Sequence, residues 1–176
     1  MRVFRIFCAV AMILVLLSAT ARAQLLGRIF DEEEWTEQQA RLPAFPKPEN
    51  LVLVPIDAVK TFEFRIDASS IDVGQDGVIR YTLVARSSSG SENISFEGIR
   101  CDTAERKLYA FGRANKTWAQ ARTVGWTKYA GVGMNYQSEL AAKFFCPDTV
   151  RVRNVAEALE NMKTGGFVRE FGPSDD

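Results

Sequence analysis

The stretch "TFEFRIDASSIDVGQDGVIRYTLVAR", Thr61 to Arg86, decides the fold. Phe62, Phe64 and Ile66 alternate with Glu63, Arg65 and Asp67, the two-residue period of a strand with one buried face. Gly74-Gln75-Asp76-Gly77 breaks the run as a turn, with Asp-Gly at its close. Beyond it Ile79, Tyr81, Leu83 and Ala85 alternate against Arg80, Thr82 and Arg86. Two alternating runs joined by a short turn form an antiparallel pair, and the rest of the chain builds outward from it.

Toward the C-terminus, "SSSGSE" reverses the chain and Asn93 to Cys101 reads as the next strand. A tight turn through Asp102 to Arg106 leads into "KLYAFGR", the fourth strand, and Trp118 to Tyr129 supplies a fifth. The period then changes. In "MNYQSELAAKFF", Tyr136, Leu140 and Phe144 fall at i, i+4 and i+8, which predicts an amphipathic helix stopped by Pro147. Asn154 followed by Glu157 resembles a capping box, Val155, Leu159 and Met162 form a second stripe, and Gly165-Gly166 ends it. The expected architecture is α+β: an antiparallel meander of four to five strands with two C-terminal helices packed on one face. It forms one domain over residues 51–170, with a disordered tail at 171–176.

Toward the N-terminus, residues 24–50 read as an acidic arm and a proline-rich connector. Asp31 to Glu37 holds five acids around Trp35, compatible with a short helix or with a mobile arm pinned by that tryptophan. Pro43, Pro46 and Pro48 keep the connector extended as it crosses the domain surface. Residues 1–23 have the parts of a secretory signal: Arg2 and Arg5, an apolar run from Ile6 to Ala19, and Ala21-Arg22-Ala23 before Gln24. The run is short for a membrane span, which needs about 20 apolar residues, so no transmembrane anchor is expected after cleavage between Ala23 and Gln24. Gln24 at the cleavage point argues against lipid attachment. The expected location is the periplasm.

Cleavage leaves 153 residues of 176, one domain's worth. It removes three arginines and no acids, taking the formal charge from 0 to −3. So mild a value implies no general attraction to nucleic acid or to anionic membranes. Cys8 leaves with the signal, and Cys101 and Cys146 remain. Two cysteines in an oxidising compartment are read as a disulfide, here joining the third strand's end to the first helix's end.

There is no histidine. Ser-His-Asp and Cys-His catalysis and histidine-bound zinc are excluded, and two cysteines alone complete no structural zinc site. No phosphate-binding loop, dinucleotide fingerprint or calcium loop occurs. No catalytic residue, metal or cofactor is therefore assigned. Carboxylate chemistry survives as an alternative: an envelope hydrolase using a pair such as Glu97 and Asp102, which must lie roughly 5–10 Å apart. Their plainer reading, like that of Glu105, is as ordinary carboxylates on a hairpin surface.

Arg100 to Tyr129 carries seven cations against Asp102 and Glu105, a local +5 interleaved with aromatics. Arg100, Arg113, Lys116, Trp118 and Trp126 form the candidate binding surface, suited to an anionic glycan, a phosphate-bearing lipid headgroup or an acidic protein. Nucleic acid is not expected. Two plainer readings stand beside it. Strand aromatics face the core while alternating cations face water, or the acidic arm around Glu32 to Glu37 lies across the segment and neutralises it.

"LPAFPKPENLVLV", "DASSIDVGQDGVIRYTLVARSSSGSENISFEGIRC", "ERKLYAFGRANKTW" and "FFCP" resemble, in that order, a family of short exported bacterial proteins, the CNP-1-like family. The resemblance covers Trp35 to Pro147. It implies a Gram-negative cell-envelope location and supplies neither an activity nor catalytic residues. Its cysteine-bearing blocks fall on Phe96–Cys101 and Phe145–Pro147. The expected function is a soluble periplasmic interaction or accessory module, with the hydrolase, or a purely structural envelope protein, as the alternatives.

Overall fold

A computed structural model describes residues 34–122, 125–129 and 135–167. The signal segment 1–23 with Ala23 and Gln24, the arm before residue 34 and the tail 171–176 lie outside the described residues. The chain divides into two compact units, Met1–Thr36 and Glu37–Asp176. Of the first, Glu34 to Thr36 is described; the Thr36 hydroxyl donates to the Glu34 carbonyl.

The second unit is built on a seven-stranded antiparallel sheet: β1 Leu51–Val54, β2 Phe62–Val73, β3 Val78–Ser87, β4 Glu92–Arg100, β5 Glu105–Gly112, β6 Trp118–Gln120 and β7 Thr127–Lys128. β1 to β6 lie in chain order, and β7 pairs beside β6 on β5. The α+β class and the meander are as expected, but the strand count exceeds four to five. β1 reads "LVLV", an unbroken apolar run too short to be told from any other apolar segment. The expected fifth strand is two pieces of three and two residues, on opposite ends of β5. Neither is long enough to display a period.

Two helices follow. In α1, Tyr136–Leu140, the Asn135 side chain accepts from the Ser138 amide, and the helix continues as a π-helical turn over Ala141–Phe145. α2 spans Val155–Lys163; Asn154 caps it by accepting from the Glu157 amide at 3.0 Å. Glu157 reaches back one residue beyond the usual capping box, to the Arg153 amide. Gly165 and Gly166 take positive φ and stop the helix, the Gly166 amide donating to the Asn161 carbonyl.

Both helices pack on one face of the sheet. Ile66, Ile79, Tyr81, Leu83 and Ile99 meet Leu140, Phe144, Phe145, Ala158 and Met162, with the Tyr81 and Phe145 rings 4.8 Å apart. Cys101, in the turn after β4, is bonded to Cys146 at the end of α1, their Cα atoms 5.5 Å apart. Both cysteines are buried.

The opposite face is also covered. Arg80 and Thr82 alternate with the core residues of β3, yet Arg80 is only 3% exposed and Thr82 is fully buried. The connector lies over Arg80. Arg80 donates to the Asp76 carboxylate at 2.6 Å and to the Gln38 carbonyl, and Asp76 accepts from the Gln38 amide. Trp118 donates its indole N–H to the Pro43 carbonyl, with Phe45 packed 5.4 Å from its ring. Alternation tells which side chains share a face; it does not tell that the second face meets water.

Candidate functional site

The helices leave part of their face open. Beyond Tyr136, toward the start of β2 and the end of β5, the sheet forms the floor of a cleft of about 460 Å³. Phe62, Phe64, Leu83, Leu108, Phe111 and Tyr136 supply most of its wall. The β4–β5 register sets Ser95 opposite Phe111, Glu97 opposite Leu108 and Ile99 opposite Arg106, so Ser95, Glu97 and Arg106 share the cleft's face. Phe64 stacks on Tyr136 with centroids 5.1 Å apart.

Glu97, 3% exposed, accepts three hydroxyl hydrogen bonds: Ser95 at 2.6 Å, Tyr136 at 3.0 Å and Tyr81 at 3.1 Å. Burial, reinforced by the carboxylate's charge, pushes both phenols well above the usual tyrosine range, so both stay protonated donors. The network ties α1 to the sheet at the cleft. Arg106 is the diagonal neighbour of Glu97 and lines the same cleft. Among the described residues no carboxylate lies within ion-pair reach of its guanidinium, and no acceptor takes its donors.

The expected basic–aromatic surface is not one patch. Arg100, 9% exposed, faces away from the helices and pairs with Asp102 at 3.0 Å and Glu105 at 3.8 Å. It lies over the ring of half-buried Trp126. Arg113 and Lys116 are exposed in the β5–β6 turn beside half-buried Trp118. At about 3.4 Å per residue, β5 separates the two groups by about 25 Å. A hairpin strand places its ends apart, whatever their joint charge.

Glu37 takes the Trp126 end. Its carboxylate accepts from Lys107 at 2.6 Å, Tyr109 at 2.8 Å and the Trp126 indole at 3.1 Å. Tyr109 is the extra residue of a β5 bulge and lies flat on β4 at Gly98, where a side chain would come within 2.9 Å of its ring. The neutralising arm anticipated around Glu32 to Glu37 is thus realised by Glu37.

Burial alone would raise the Glu37 pKa, but these hydrogen bonds and the Lys107 charge outweigh it and hold it below 4.5. A lowered folded-state value means stabilisation present above the unfolded pKa and lost as pH falls through the folded one. Glu37→Gln should therefore lower the urea midpoint at pH 7, with the gap to wild type closing as pH falls below about 4.5. A gap that stays constant with pH would remove the ionic role of Glu37.

Glu97 and Asp102 do not share the cleft. Glu97 faces the helices and is filled by three hydroxyls; Asp102 sits in the following turn, bonded to Arg100 of the opposite face. Reading the sequence strand by strand missed the site that Glu97 does make, because Tyr81 and Tyr136 reach it from 16 and 39 residues away. Arg106 was visible only as one cation among seven. The signal available for it was its place two residues before Leu108 on the face that Phe111 shares.

The family model described as the CNP1-like family matches residues 30–163, well over half of the chain. No curated protein and no solved structure matches.

Proposed function

Because the chain belongs to the CNP1-like family, a family without an established activity, we propose that it serves as a periplasmic accessory module that binds a small envelope ligand and performs no catalysis. The cleft carries this reading. Its volume falls within the range of about 300–1,000 Å³ typical of small-molecule sites, with apolar walls and a few polar groups converging on the floor. The basic–aromatic segment contributes one cation to it, Arg106, rather than a continuous surface for an anionic glycan, a lipid headgroup or an acidic protein. Export rests on the basic start, the apolar run and the Ala-x-Ala motif before Gln24. The absence of histidine, together with a buried carboxylate filled by three hydroxyls, supports binding over hydrolysis.

The neutral fluorophore N-phenyl-1-naphthylamine tests the reading. Wild-type protein should enhance and blue-shift its emission. Phe111→Asp, at a position 49% exposed and hence tolerant of substitution, should weaken the affinity about tenfold by placing a charge in the apolar wall. No enhancement with wild type, or equal affinity for both proteins, would reject the cleft as the site. Fractionation with N-terminal sequencing checks the location: a chain retained in the cytoplasm would end the accessory role proposed.

A further inference from the structure

The cleft is asymmetric along β5. At one end its wall is carbon, from Phe62, Phe64, Leu108 and Phe111; at the other stands Arg106. Five positions at about 3.4 Å per residue put roughly 15 Å between Phe111 and Arg106. The Arg106 donors have no acceptor among the described residues, and its diagonal neighbour Glu97 spends its oxygens on Tyr81, Ser95 and Tyr136. A guanidinium at the end of an apolar trough is matched by a carboxylate, which it receives with two parallel hydrogen bonds.

Resting on the cleft as the binding site, we infer that its ligand is a single-chain fatty-acid-type amphiphile. The carboxylate sits on Arg106 and the alkyl chain runs along Leu108 and Phe111 against Phe62 and Phe64. The charge balance selects a monoanion. Glu97 lies beneath the head position, diagonal to Arg106, so a phosphate dianion would bring two negative charges to a site that holds one cation and one carboxylate. A cationic head would face Arg106 itself, above a Glu97 carboxylate that already accepts from three hydroxyls. The volume holds a small molecule rather than a folded partner.

Titration calorimetry on the mature protein, with dodecanoate, dodecanol and dodecyltrimethylammonium below their micelle concentrations, separates head from tail. Dodecanoate should bind tightest, dodecyltrimethylammonium about tenfold or more weaker, and dodecanol between them. Arg106→Gln should weaken dodecanoate about tenfold and leave dodecanol unchanged. Because Arg106 is half-buried and its guanidinium has no acceptor among the described residues, the melting temperature should move by no more than about 2 °C. Equal affinity for the three heads, tightest binding of the cation, or an unchanged dodecanoate affinity in Arg106→Gln overturns the assignment of the head while the cleft still stands as a site. No binding by any of the three overturns both.

Discussion

Replacing Cys101 and Cys146 together by alanine should lower the unfolding free energy by about 4 kcal/mol and the melting temperature by about 10–15 °C. The bond joins residues 45 positions apart, and the chain-entropy model gives about 4 kcal/mol for a loop of that size. Alanine rather than serine keeps buried hydroxyls out of the comparison, since both cysteines lie in the core beside Phe145 and Tyr129. The loss should appear mainly at the end of α1, where Cys146 anchors a π-helical turn that must still hold Phe144 and Phe145 in the core. Leu140 and Tyr136 lie further back on the same helix, so cleft binding well below the melting temperature should survive. Two measurements check this. Intact mass under denaturing, non-reducing conditions should show no alkylation of the wild type, and the double variant should melt early. Uptake of two alkyl groups, or a melting temperature unchanged within about 2 °C, would remove the bond from the account of stability.

The β2–β3 pair was legible because each strand repeats its pattern over several residues, and because Gly77, with φ of 85°, supplies the turn that the Asp-Gly pair announces. The α2 start was legible for the same local reason: Asn154 and Glu157 are three residues apart and bond as their chemistry requires. What escaped was non-local. Arg80 and Thr82 read correctly as sharing a face, but only the connector's path shows that the face is covered: Gln38 arrives from 42 positions away. Glu37 was one acid in a run of five and became distinctive only when Lys107, Tyr109 and Trp126 converged on it from β5 and the β6–β7 segment. Local periodicity sets which way a side chain points, whereas a site depends on what another strand brings to meet it.

Glu97 is where that distinction has the largest consequence within the site. Glu97→Ala should destabilise the protein by about 3 kcal/mol. Ser95 and Tyr136 are half-buried beside the cleft and can turn to water, but Tyr81 is fully buried, and its hydroxyl would lose its acceptor. An unsatisfied buried donor costs about 1–3 kcal/mol beyond the bonds removed. Adding Tyr81→Phe to Glu97→Ala removes that orphan, so the double variant should be more stable than Glu97→Ala alone, with a coupling of about 0.5–3 kcal/mol. Recovery of stability in the double variant identifies the carboxylate as an acceptor for the tyrosine rather than as a volume filler. Glu97→Ala should also weaken N-phenyl-1-naphthylamine binding, because Tyr136 then loses its tie to the cleft floor, whereas the cysteine variant should bind normally at low temperature. A Glu97→Ala protein within about 0.5 kcal/mol of wild type would mean that the three hydroxyls find other acceptors. The cleft floor would then owe its shape to Phe64 stacking on Tyr136 alone.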